Sequence, residues 1–345
     1  PNPDCAAAIA ERKRLFDLPR SAWSDYDAKL ISHVAGIYER RAKSIKLSKE
    51  AQALFQIGKD QVTPNELIKS ILTAEVDLLF LGGIGTYVKA TDETNLEVGD
   101  RTNDALRVNA NEIRCKVVGE GANLGFTQRG RIEAGLNGKR INTDAVDNSA
   151  GVDTSDHEVN IKILLNDAIQ RSEITLEQRN KQLAAMTDEV ERLVLADNYR
   201  QNQAITVMQH MSAQRLGANA HFIRTLEGEG ILDRQIESLP TDVELDERKT
   251  RHQGLTRPEL CVLLSYAKIK LYQQLVDSDV PEDPYLSKEL VRYFPDPLHV
   301  PYAAHMQRHR LKREIIATAV TNSIVNRMDA TFVLRMQEDT GQPPA

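Results

Sequence analysis

The sequence predicts an α/β segment, a doubly wound parallel sheet that lacks its first part, followed by an all-helical carboxyl-terminal domain. Three observations predict it. Two short runs, Val76 to Leu81 and Lys116 to Val118, are too short and too apolar or β-branched for helices, and each breaks into glycine. Capped helical patterns alternate with them, which implies βαβ units. Thirteen of the 18 glycines lie in the first 151 residues, and from Asp153 onward the periodicity is almost entirely helical. The division that follows is 1–165 for the α/β part and 166–345 for the helical part.

The elements follow in order. Pro3-Asp4 opens a helix that runs from Ala6 to Phe16; Asp4 is a cap by residue type. Lys46 to Phe55 is mixed in character. Thr63-Pro64-Asn65-Glu66 is a capping box with proline at the first helical position, and its helix runs to about Thr73. Val76 to Leu81 reads as a strand buried on both faces. Lys116 to Val118 and Arg140 to Thr143 read as two further strands. Thr175 to Gln178 and Thr256 to Glu259 are capping boxes, the second opening a long helix. Ile205, Met208, Met211 and Leu216 form one amphipathic stripe, and Leu311 to Met336 forms one or two helices.

Composition excludes several classes. The chain has 345 residues, 41% hydrophobic and 27% charged, with a net charge of −6. That is an ordinary globular composition, and its sign opposes general nucleic-acid or anionic-membrane binding. The three cysteines, Cys5, Cys115 and Cys261, have no zinc spacing and point to a reducing compartment, the cytoplasm. No apolar run approaches the ~20 residues of a membrane span. The chain starts Pro-Asn-Pro-Asp and ends Gln-Pro-Pro-Ala, which reads as a segment of a longer polypeptide.

The chemistry concentrates between Lys116 and Val152. Gly119 and Gly121 follow the first strand, then Ala122 and Asn123; Asn148, Ser149, Ala150 and Gly151 follow the second and open a helix. Ligands of open parallel sheets sit outside the carboxyl ends of the strands. Two adjacent strand ends carrying small residues and an amide suit a flat, amide-bearing ligand such as nicotinamide. Gly and Asn are also ordinary turn residues, so a pair of plain turns is the competing account. A G-x-G-x-x-G phosphate fingerprint is absent: Gly83-Ile84-Gly85 has no third glycine at the required offset and follows a later strand. Gly82 and Gly83 are better suited to a glycine rim beside a cofactor. The fold is thus an incomplete Rossmann-type sheet.

The strings V-V-G-E-G-A-N-L-G-F-T-Q-R-G-R-I-E and N-T-D-A-V-D-N-S-A-G-V-D-T-S-D-H-E-V-N-I-K resemble the large-subunit NAD-specific glutamate dehydrogenases of bacteria. D-L-L-F-L-G-G-I-G-T-Y-V-K at Asp77 to Lys89 and L-T-R-P-E-L at Leu255 to Leu260 are similar to the same family. The resemblance implies NAD as cofactor and L-glutamate, oxidised to 2-oxoglutarate and ammonia, as substrate. It implies that Asn123 and Asn148 serve the nicotinamide end, with Gly121, Ala122 and Gly151 allowing close approach. It places Val152 and Ser155 near the substrate's side-chain carboxylate, a role for which a helix-start serine also has a plain structural alternative. It further implies that the first strand and fingerprint lie upstream, with Asn2 or Asp4 near the adenosine ribose. The catalytic lysine and acid/base would lie in an upstream substrate domain of the same polypeptide, so no catalytic residue is expected in this segment. A homo-oligomer is expected.

Other clusters have simpler accounts. Asp153, Asp156, His157 and Glu158 do not make H-E-x-x-H, and a helix macrodipole explains acidic residues in a first turn, so no metal is expected. Arg308 to Arg313 reads as a solvated basic helix face. Two rival functions remain: a dehydrogenase of another amino acid, and a non-catalytic helical scaffold or regulatory module.

Overall fold

A computed structural model describes residues 4–344. Pro1, Asn2 and Pro3 lie outside the described residues, and with them the expectation for Asn2. The chain divides into two compact units. One takes the residues up to 80, with 84–118 and 124–139; the other takes 81–83, 119–123 and everything from Arg140.

In the first unit, helix α1 (Cys5–Phe16) starts where expected, and the Asp4 carboxylate accepts from the N–H groups of Ala6 and Ala7 at 3.0 and 3.1 Å. Asp4 is therefore a cap. Strands β1 (Ile45–Lys46) and β2 (Gln61–Val62) pair antiparallel, with helix α2 (Lys49–Phe55) between them. Ile45, Leu47, Val62 and Leu67 form a small core there, and Leu67 comes from α3 (Pro64–Leu72) with its Thr63–Glu66 capping box. Strand β3 (Leu78–Leu81) follows. It is buried on one face only: Leu79 and Leu81 are buried, but Leu78 and Phe80 are 56% and 64% exposed, because no element covers that side. The expectation of a strand buried on both faces is corrected accordingly. Strand β4 (Val88–Lys89), helix α4 (Asn95–Val98) and strand β5 (Val108–Asn109) come next, and β4 and β5 pair in parallel. Strand β6 (Val117–Glu120) pairs with β3. Their bonds run in the same direction, Lys116 N–H to Val76 O and later Ala122 N–H to Leu81 O, so this pair is parallel too. Helix α5 (Gln128–Leu136) lies against β4, and a Cβ at Gly130 would come 3.1 Å from the Lys89 carbonyl carbon and 2.9 Å from Thr127 Oγ1, so glycine gives the close approach its room.

The second unit is helical beyond its strand ends. Arg140 to Thr143 is not a strand: Arg140 is a single bridge residue and Ile141 to Thr143 are irregular. Ile141 and Thr143 are buried in strand-like alternation, but Asn142 spends its amide on side chains rather than on a ladder. Helix α6 (Asp144–Asp147) leads at Asn148 into α7 (Ser149–Gln170). The expected division at 165/166 falls inside α7. Helices α8 (Leu176–Ala185), α9 (Thr187–His210), α10 (Leu216–Gly228), α11 (Asp242–Thr250) and α12 (Arg257–Val276) follow. After them come α13 (Ser287–Tyr293), α14 (Asp296–His299), α15 (Ala303–Gln307), α16 (Lys312–Met328) and α17 (Phe332–Thr340). The expected stripe from Ile205 to Leu216 is broken, since α9 ends at His210 and Leu216 starts α10.

Two apolar cores hold this bundle. Ile205, Ile223, Leu226, Leu260, Leu263 and Leu264 centre the larger, and Leu164, Leu165, Leu290, Phe294, Met306 and Ile316 the smaller. The basic run is a solvated face only in part, with Arg308 and Arg310 exposed. His309 is buried, with Nε2 3.1 Å from the Asn160 carbonyl, and Arg313 donates to the carbonyls of Val276 and Ser278 at 2.7 and 2.8 Å, closing the end of α12.

Candidate functional site

The site is built where β6 ends and α7 begins. Glu120, the last residue of β6, is fully buried. Its N–H donates to Asp147 Oδ2 at 2.9 Å, and its carbonyl accepts from Asn148 Nδ2 at 2.7 Å. The same Asn148 amide donates to the Asp144 carbonyl at 3.1 Å. Asn148 closes α6 and starts α7, so one side chain ties two helix ends to a strand end. Backbone groups leaving a strand need partners, and here Asp147 and Asn148 supply them.

A polar network stands behind that junction. Asn142 Nδ2 donates to Asp147 Oδ1 at 2.6 Å and to Asn202 Oδ1 at 2.9 Å. Its Oδ1 accepts from Arg257 Nε at 2.5 Å, and Arg257 Nη1 donates to Thr206 Oγ1 at 2.9 Å. Asn198 Nδ2 donates to Ser149 Oγ at 2.8 Å and to the Val146 carbonyl at 3.2 Å. Burial pulls the Arg257 pKa down, while the Cys261 side chain and the Asp147 carboxylate act in the opposite direction. Helices α9 and α12 thus reach the strand end through side chains alone.

The predicted residues fall into two groups. Gly82, Gly83, Gly121, Ala122, Asn123 and Asn148 come together, because Ala122 N–H donates to Leu81 O at 3.0 Å and Asn148 holds Glu120. Gly82, Gly83, Gly121 and Asn123 are exposed. Asn123 has no side-chain hydrogen-bond partner among the described residues, so its amide is available to a ligand. Asn148 differs from the simple expectation: both its bonds as a donor go to backbone carbonyls, and Oδ1 is the atom left for a ligand. Gly151 N–H donates to Asn148 O at 3.0 Å in the first turn of α7. Val152 is 74% exposed, and Ser155 is exposed with its Oγ bonded to the Gly151 carbonyl at 3.3 Å. Because α7 starts at Ser149, Ser155 sits in the second turn, where N–H groups belong to the helix ladder. What Ser155 can offer a carboxylate is therefore its hydroxyl.

These turns form an open rim rather than a closed pocket. A Cβ at Gly83 or Gly151 would meet nothing within 4 Å, so neither glycine is required for internal packing. A free amide, small residues and unobstructed backbone fit a flat amide-bearing group. A cavity of about 330 Å³ lies elsewhere in the bundle, between residues that include Met208, Met211, Arg215, Asn326 and Asp329.

Sequence reasoning missed Asp147, Asn142, Arg257, Asn198 and Asn202. Asp147 and Arg257 stood inside quoted motifs, D-A-V-D-N and L-T-R-P-E-L, and their charge amid small and apolar neighbours was the available signal.

Comparison with known proteins agrees with the motifs. The family model for bacterial NAD-glutamate dehydrogenase, catalytic domain, matches residues 1–208, and that for glutamate dehydrogenase, C-terminal, matches residues 252–345. The chain is similar to the NAD-specific glutamate dehydrogenase of Halomonas elongata, 52% identical over 341 residues, covering 99% of this chain and 21% of that protein. The Pseudomonas aeruginosa protein of the same name is 52% identical over 345 residues, covering 100% of this chain and 21% of its own length. The Mycobacterium tuberculosis protein of that name is 45% identical over 350 residues, with 100% and 22% covered. The chain spans about a fifth of the length of these curated relatives. With more than half of its residues matched by the first model, the chain belongs to the bacterial NAD-glutamate dehydrogenase family.

Proposed function

We propose that this chain forms the nicotinamide side of the cofactor site in an NAD-dependent glutamate dehydrogenase. The reaction is L-glutamate, NAD⁺ and water to 2-oxoglutarate, ammonium, NADH and a proton. One observation carries the reading: Glu120 is held from both sides by Asp147 and Asn148, which leaves Asn123 exposed with an uncommitted amide. NAD, when bound, supplies the hydride acceptor. The chain's own residues bind and orient it: Asn123 offers donor and acceptor to the carboxamide or ribose hydroxyls, and Asn148 offers Oδ1. Gly82, Gly83, Gly121, Ala122 and Gly151 leave room for the backbone to approach, while Val152 and Ser155 face the glutamate side chain.

The proposed organisation is one of role. Residues 1–165 carry the Rossmann-type part and 166–345 the helical domain. The outward Leu78 and Phe80 support a sheet with a second layer. The lysine and the acid/base belong to an upstream substrate domain of the same polypeptide, a reading supported by relatives about five times longer than this chain. A cytoplasmic homo-oligomer completes the proposal; among the described residues no helix is long and apolar enough to cross a membrane.

The test is NADH titration and glutamate-dependent NAD⁺ reduction by the full natural polypeptide and its Asn123→Ala variant. Loss of one ligand hydrogen bond is expected to weaken NADH binding by about tenfold. Unchanged NADH affinity and unchanged turnover in Asn123→Ala would show that the turn is only a turn.

A further inference from the structure

Three helices of the bundle meet around a set of charged groups that the cofactor reading does not use. Asp153 and His157 lie one turn apart on α7, and Asp197 comes from α9. One ligand atom from each lies within 4.8 Å of the other two. His157 is 2% exposed and its ring stacks on Tyr293, centroids 4.4 Å apart. Neither of its ring nitrogens makes a hydrogen bond among the described residues: Nδ1 is buried without a partner, and Nε2 is 3.8 Å from Asp153 Oδ1, too far for one. Asp153 Oδ2 is also buried without a partner. Buried polar groups are normally paired, and these two exceptions belong to residues of the same three-residue cluster.

The neighbours do not satisfy them. Asp156 is committed elsewhere, accepting from Tyr293 Oη at 2.7 Å and from Asn160 Nδ2 at 3.2 Å. Lys268 of α12 is close enough to act on both Asp153 and Asp197, but its Nζ donates to Gln201 Oε1 at 2.7 Å and makes no ion pair among the described residues. Burial, then Asp197 and Asp156, push the Asp153 carboxyl up to about 7. Burial pulls His157 down, which favours the neutral, ligating imidazole.

We propose that Asp153, His157 and Asp197 bind one divalent transition-metal ion of the zinc, cobalt or manganese class, which pins the amino-terminal half of α7 to α9. One imidazole with two carboxylates is a donor set for such ions rather than for calcium or magnesium. Ligand atoms about 2.0–2.2 Å from zinc lie roughly 3–4 Å from one another, so small side-chain rotations from the present spacing complete the site. Residues four apart on a helix share a face, which is why Asp153 and His157 can serve one ion. Two carboxylates balance a dication, and Lys268 is the competing cation. The macrodipole account does not hold: α7 starts at Ser149 and carries no acidic residue in its first turn, and Asp197 comes from α9. This inference does not depend on the cofactor reading.

The experiment uses the full natural polypeptide, stripped with EDTA and titrated calorimetrically with Zn²⁺ and Co²⁺, with thermal unfolding followed in parallel. The expected result is saturable binding near one ion per chain and a rise in melting temperature on metal addition. Asp197→Asn and His157→Gln are each expected to lose more than about tenfold in affinity. Lys268→Met is expected to bind more tightly, since the competing charge is gone. His157 is in the core, so Asp197→Asn and Lys268→Met keep the test sound if His157→Gln fails to fold. No saturable binding by the wild type, or the same affinity in wild type and Asp197→Asn, overturns the proposal.

Discussion

Asn148 Nδ2 lies 2.7 Å from the carbonyl oxygen of Glu120 and 3.1 Å from that of Asp144, so one amide fastens the end of β6 to the start of α7. Asn123, three residues past Glu120, makes no such bond among the described residues. The two asparagines therefore respond differently to loss of the amide. Asn148→Ala removes the side-chain bond to the Glu120 carbonyl, while the Asp144 carbonyl keeps the residue-148 backbone N–H at 2.8 Å, and it is expected to cost about 1–3 kcal/mol in urea unfolding. Asn123→Ala is expected to stay within about 0.5 kcal/mol, as exposed substitutions do, while losing NADH affinity. Equal stability losses in both variants would contradict the division of roles.

Arg257 joins three parts of the helical unit. Its Nε meets Asn142, its Nη1 meets Thr206, and Asn142 in turn holds Asp147, which receives the Glu120 N–H. The planar guanidinium donates in two directions at once, which an ammonium on a flexible stem does not reproduce. Arg257→Lys is accordingly expected to behave more like Arg257→Ala than like wild type. About 2–3 kcal/mol of stability should be lost in either, read by chemical denaturation. A second readout follows from the chain of contacts: amide hydrogen exchange at Glu120 should quicken in both.

Local signals were legible in the sequence, and distant ones were not. The capping boxes at Thr63, Thr175 and Thr256 form as read, because each is a contact between residues three apart. Lys116 to Val118 marks β6 to within two residues. Arg140 to Thr143 misled because the burial of Ile141 and Thr143 alternates as in a strand, whereas the segment is irregular and Asn142 between them bonds Arg257, 115 residues away. No local pattern encodes that. Asn148 was singled out by its residue type, but sequence could not tell that Glu120 and Asp144 would take its donors. Arg308 to Arg313 looked solvated because charge was visible and the open end of α12 that Arg313 closes was not.

Glu259 is fully buried and holds Arg248 through two bonds of 2.7 and 2.8 Å, while one of its oxygens also receives the Thr256 N–H at 2.6 Å. Removing the carboxylate leaves a guanidinium only 12% exposed without its partner. Glu259→Ala is expected to cost about 3–5 kcal/mol. The double substitution Arg248→Met with Glu259→Leu should cost less than Glu259→Ala alone, since no charge is then stranded; the Thr256 N–H and hydroxyl lose their shared acceptor in both. Equilibrium denaturation of the two variants decides it.

Asp167 sets an acid limit on the smaller core. Its carboxylate lies 2.7 Å from His305 Nδ1 and 3.3 Å from both Arg171 Nε and Arg308 Nη2. The His305 contact chiefly, with Arg171 and Arg308 adding, holds its pKa down to about 2 against an ordinary 3.8. The sign follows from proton counts. Between those two values the unfolded chain binds more protons at this group than the folded chain does, so stability rises with pH across that window. The stabilisation is fully present above about pH 4 and is lost as pH falls through about 2. Asp167→Asn cannot titrate. The difference in urea midpoint between wild type and Asp167→Asn should therefore be constant from pH 7 to 5 and shrink between pH 4 and 2. A gap that stays the same down to pH 2 would mean that the His305 contact does not favour the ionised carboxylate in the folded protein.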